Sequence, residues 1–86
     1  MLNTDQLAIP QAVGTDAAAF ELLRVWLANN QQHVSLRTSV WEDPAAWGIM
    51  LADLARHVAE SYGQEEGRDV AATLERIKAG IDAELG

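Results

Sequence analysis

With 86 residues and no cysteine, the chain is limited to one small domain, with neither a disulfide framework nor a thiolate zinc site to reinforce a thin core. Thirteen acidic residues against six basic ones leave a net charge of -7, which disfavours nucleic acid and anionic membrane surfaces as partners. A hydrophobic fraction of 49% and three tryptophans exclude a disordered tail, so a globular domain is expected, and association with a second copy is the usual remedy for a core this small.

The opening segment, MLNTDQLAIPQAVG, lacks the charged start and continuous apolar run of a signal peptide, and no stretch of some 20 apolar residues follows, so a cytoplasmic location is expected. Residues 1–16 contain Pro10, Gly14 and apolar residues without a sustained period, which reads as an irregular N-terminal arm that Leu7, Ile9 and Val13 can pin down. A helix over Asp16–Asn30 competes with a strand reading, because AAAFELL has high helix propensity and Phe20, Leu23 and Leu27 recur at three and four. We adopt strands. Leu23, Val25 and Leu27 alternate with Arg24 and Trp26, Asn29–Asn30 mark a turn, and Val34 and Leu36 alternate with His33, Ser35 and Arg37, giving a β-hairpin over 21–40. Any short helix is then confined to the AAAF stretch, with Asp16 as its cap.

Asp43 and Pro44 form a helix start, Trp47, Met50, Leu51, Leu54, Val58 and Tyr62 recur at helical spacing, and Gly63 offers a left-handed terminus, which predicts an amphipathic helix over 43–63. After the polar break QEEGR, Asp69 caps a second helix over 69–85 whose apolar face is Val70, Leu74, Ile77, Ile81 and Leu85. Leu54 and Ile77 fall at the centres of the two apolar stripes, and Gly80 inside the second helix marks either close packing or a looser end. The expected fold class is α+β, one domain over 1–86, with an antiparallel β-hairpin packed against two amphipathic helices and an N-terminal arm.

No phosphate-binding glycine loop, paired cysteines, HExxH or GxSxG motif is present, so no cofactor and no metal are expected. Two weak clusters remain. Arg24, His33 and Arg37 can share a hairpin face and hold a small anion, although the same face reads first as the wet side of a sheet or as arginines that pair with Glu21 and Glu42. Asp53 and His57, four apart with Arg56 between them, can orient an imidazole for base chemistry or offer two metal ligands, but no nucleophile or further ligand accompanies them and a solvated helix face explains them better. Trp26, Trp41 and Trp47 read as core or interface residues before they read as a stacking platform.

The blocks LRVW, HVSL, WEDPAAWG and LADLARH, in that order across Leu22–Tyr62, resemble a family of small bacterial proteins of unknown function. The resemblance covers about half of the chain and implies a small soluble bacterial protein; it supplies no activity, cofactor or catalytic residue. A lone hairpin is marginal in water and leaves two unpaired edges, which a second copy would satisfy. The leading expectation is therefore a non-enzymatic homodimeric interaction or regulatory protein, with a possible further protein partner. The alternative is a binding module for a small anionic or polar metabolite on the hairpin face, and an enzyme is the least favoured reading.

Overall fold

Two asparagines set the geometry of the first half of the molecule. In the computed structural model, which describes residues 5–86, Asn29 and Asn30 have φ of 54° and 59°. Two successive left-handed residues form the two-residue turn whose twist matches that of paired strands, and asparagine tolerates that conformation better than most residues. The turn joins β1 (Leu23–Ala28) to β2 (Gln31–Leu36) as an antiparallel pair with an unbroken register from Leu23 opposite Leu36 to Ala28 opposite Gln31. The Arg37 N–H donates to the Leu22 carbonyl at 3.0 Å, so the ladder continues one step past the strand ends.

This register sorts the side chains. Leu23, Val25 and Leu27 share one face with Gln32, Val34 and Leu36, while Arg24 and Trp26 share the other with His33 and Ser35. Upstream, the expectation of an irregular arm over 1–16 is corrected in part: Gln11–Gly14 form one helical turn, α1, started by Pro10. Residues 1–4 lie outside the described part of the chain. The AAAF stretch does not become helical. Asp16 instead closes an isolated turn, its carboxylate accepting from the Ala18 N–H at 2.9 Å and its carbonyl from the Ala19 N–H at 3.0 Å.

The chain divides into two compact units, one running through Val40 and the other spanning Trp41–Gly86. The second unit is a helical hairpin of α2 (Ala45–Glu66) and α3 (Val70–Leu85). Asp43 starts α2 as the sequence indicated, its carboxylate accepting from the Ala45 N–H at 3.0 Å, with Pro44 already in helical conformation. Asp69 caps α3 by accepting from the Ala72 N–H at 2.9 Å.

The end of α2 differs from the expected stop at Gly63. The helix runs on through Glu66, because Gln64, Glu65 and Glu66 are good helix formers and a single glycine does not outweigh them. The left-handed terminus is Gly67, at φ 68°, whose N–H bonds the Gly63 carbonyl. Gly63 serves packing instead. A Cβ placed there would stand 2.7 Å from a Val70 methyl, so its bare backbone is what lets the start of α3 approach α2. Gly80, by contrast, faces open space.

On α2 the core is displaced from the expected stripe, whereas on α3 Leu74 and Ile77 keep to it. Ala59 is fully buried, and Ala55 and Gly63, one turn to either side, are half-buried on the same flank of α2, as are Thr73, Leu74 and Ile77 on α3. Small residues at this spacing let two helices approach closely, and they occupy the margin of the apolar stripe. Three of its large members stay open, Leu51, Leu54 and Val58 being 49%, 42% and 41% exposed, which corrects the placement of Leu54 at a buried centre, whereas Trp47 and Met50 are half-buried. The two hairpins, one of strands and one of helices, make this an α+β fold. Among the described residues, no helix is long and apolar enough to cross a membrane.

Candidate functional site

Glu21, just ahead of β1, organises the hairpin's cations. Its carboxylate accepts from Arg24 Nη2 at 2.9 Å and Nε at 3.3 Å, and its carbonyl accepts from Arg37 Nε at 3.1 Å. The Arg37 guanidinium also lies 5.4 Å from the centre of the Phe20 ring, within cation–π reach. The register puts Arg24, His33 and Arg37 on one side of the hairpin, as the alternation predicted, but it does not make them converge. His33, opposite Trp26 near the turn, donates from Nε2 to the Ala28 carbonyl at 3.1 Å. Each of the three thus has a partner within its own unit, and an anion arriving there competes with the Glu21 carboxylate. With Arg24 37% and Glu21 56% exposed, the pair contributes at most about 1 kcal/mol to stability.

The second cluster does come together, on the outside of α2. His57 Nε2 lies 3.4 Å from one Asp53 carboxylate oxygen and Arg56 lies 3.9 Å from the other, with all three side chains at least 60% exposed. In water at these distances the groups form weak, mobile pairs. An adjoining depression of about 420 Å³ reaches Asp53 and Arg56 but is otherwise lined by Trp41, Ala46, Ile49 and Met50. Trp41 and Trp47 meet edge to face, with centroids 5.3 Å apart and planes at 85°, and both are half-buried, in keeping with a packing role. Among the described residues, no group of three or more histidine, cysteine, aspartate or glutamate side chains is placed to hold a metal ion.

A groove of about 480 Å³ in the first unit went unanticipated. It runs between the N-terminal segment and β1, and Leu7, Ile9, Val13, Phe20 and Val25 give it an apolar wall, with Arg24 at its rim. The three arm residues that the sequence offered as pins thus line it, but Leu7 remains 90% and Ile9 67% exposed. The described surface therefore carries many uncovered apolar side chains, and the cations of the hairpin are paired locally.

These features define a small α+β protein whose described residues expose much apolar surface. It belongs to DUF5076, a domain family of unknown function whose model matches residues 6–86 and so spans both units. The resemblance noted in the sequence blocks is in line with that membership. The chain is also similar to a solved structure from the photosynthetic bacterium Rhodopseudomonas palustrus CGA009, provisionally named there as a pyruvate dehydrogenase, with 34% identity, a TM-score of 0.76, and coverage of 100% of this chain and 87% of that one. A search of curated proteins returned no match.

Proposed function

We propose that the protein works by association rather than catalysis, as a non-enzymatic interaction or regulatory module that is a homodimer. One observation carries this reading: among the described residues only Ala59 is fully buried, while Val25, Leu27, Val34 and Leu36 on the hairpin and Leu51, Leu54, Val58 and Ile81 on the helices are all more than 40% exposed. Apolar surface left in water costs about 25 cal/mol per Å², so a second copy or a partner that covers it is a strong source of stability. The solvated setting of Asp53 and His57 supports a non-catalytic role, since neither is held against a third reactive group. The provisional name of the Rhodopseudomonas relative is not carried over. An anion-binding role for Arg24, His33 and Arg37 is less favoured, because Glu21 already engages both arginines.

Light scattering on the purified chain at about 50 micromolar, ample for a specific dimer, tests the reading. The expected mass is twice the chain's 9.4 kDa. A mass of one chain throughout would overturn it.

A further inference from the structure

The outer edge of β2 has no defence against pairing. In a two-residue hairpin the residues flanking the turn, Ala28 and Gln31, form a hydrogen-bonded pair, and the pattern alternates along the ladder. The bond from the Arg37 N–H to the Leu22 carbonyl fits this phase. Gln31, His33 and Ser35 therefore bond inward to β1, while the N–H and C=O groups of Gln32, Val34 and Leu36 point away from it. Among the described residues the sheet holds only these two strands, and every residue of β2 is exposed.

Proteins ordinarily guard such an edge with lysine, proline, inward charges or a bulge. β2 reads QQHVSL, has no proline and no Asp, Glu, Lys or Arg, and its register is unbroken. The strand is also an unusual place in a molecule with a net charge of -7, because two copies approaching through most other surfaces bring like charges together. An uncharged edge is where two such chains can meet without that repulsion.

We propose that two copies pair through β2, antiparallel about a twofold axis, to form a continuous four-stranded sheet with the order β1-β2-β2-β1. This rests on the homodimer reading and names its surface. Only outward-pointing residues can exchange bonds across the axis, so Gln32, Val34 and Leu36 must face one another. Two registers of equal overlap satisfy this, centred on His33 or on Val34. The Val34 register is the one that fits: the left-handed Asn30 ends the strand sharply on one side, whereas the ladder continues to Arg37 on the other. Val34 then lies opposite its own copy and Gln32 opposite Leu36. A β-branched pair sits at the centre, and the apolar faces carrying Val25, Leu27, Val34 and Leu36 become one surface.

The test is Val34→Pro, measured by sedimentation equilibrium beside the parent chain. Proline at this position removes an outward N–H and leaves the bonds to β1 intact, so the hairpin survives while the edge is blocked. Val34→Lys, which puts a charge at the axis, serves as the second variant should the proline disturb the hairpin, as judged by cross-strand NMR contacts between Trp26 and His33. Both variants are expected to raise the dimer dissociation constant at least tenfold, and the amides of Gln32, Val34 and Leu36 in the parent should gain protection from exchange as concentration rises. A dimeric parent whose hairpin-competent variants keep the parent's dissociation constant overturns β2 pairing and leaves self-association standing. A monomeric parent overturns both.

Discussion

Two glycines inside helices should respond in opposite directions to the same substitution. Alanine in place of glycine in a helix interior gains roughly 0.5–1 kcal/mol from backbone entropy alone. At Gly80 nothing stands within 4 Å of the new methyl, so Gly80→Ala should show that gain undiminished. At Gly63 the methyl would stand 2.7 Å from Val70 Cγ2 and 3.5 Å from the Arg68 carbonyl. Valine is stiff at χ1, so its methyl cannot swing away freely, and inserting a carbon into a packed contact costs about 1–3 kcal/mol. The net expectation for Gly63→Ala is a loss of about 1 kcal/mol, since the steric cost exceeds the helix gain. In thermal melts followed at the helical circular dichroism band, a domain of this size shifts by about 4–8 °C per kcal/mol, so the two variants should fall on opposite sides of the parent. The cause is checked in the Val70→Ala background, where the clashing methyl is gone and Gly63→Ala should become stabilising. A Gly63→Ala variant that melts above the parent, or one whose loss persists without the Val70 methyls, refutes the close approach of α3 to α2 at this point.

Three further expectations follow from single contacts. Asp69→Ala removes the side-chain acceptor for the Ala72 N–H at the start of α3 and should cost about 1 kcal/mol in a urea or thermal melt. Asn30→Gly, at φ 59°, should leave the hairpin register unchanged and stabilise the turn by a few tenths of a kcal/mol, read from the dispersion and exchange protection of the strand amides. Titration with phosphate or acetate should give weak, non-saturating NMR shifts, because Arg24 and Arg37 are engaged by Glu21; saturable shifts confined to the hairpin and lost in Arg24→Ala/Arg37→Ala would restore the anion site.

The features legible in the sequence were those fixed by local chemistry. Paired asparagines between two period-two segments specified the hairpin, and Asp43–Pro44 and Asp69 specified helix starts, because each acts through neighbours in the chain. Gly63 was misread as a helix end because its role depends on Val70, which only the folded helical hairpin brings close. The core face was misjudged for a related reason. Periodicity ranks positions by side-chain size, which drew attention to Leu51, Leu54 and Val58, whereas the helices meet along Ala55, Ala59 and Gly63, where small residues permit the approach. The candidate cations were placed on one hairpin face correctly, and Glu21 was among their anticipated partners. That the Glu21 backbone carbonyl would bind Arg37, 16 residues away, is a consequence of the register, which propensity does not encode.

If a second copy supplies the burial one chain lacks, as proposed, the unfolding temperature must depend on protein concentration. A dimer that dissociates as it unfolds gains about 2.7 kcal/mol for each hundredfold rise in concentration. Spread over the unfolding entropy of two such chains, this is a rise in midpoint of about 7 °C. Melts at about 2 and about 200 micromolar, concentrations that span the range of a micromolar dimer, should differ by that amount. A midpoint that stays the same across the range would rule out the dimer, because a single chain would then carry its whole stability.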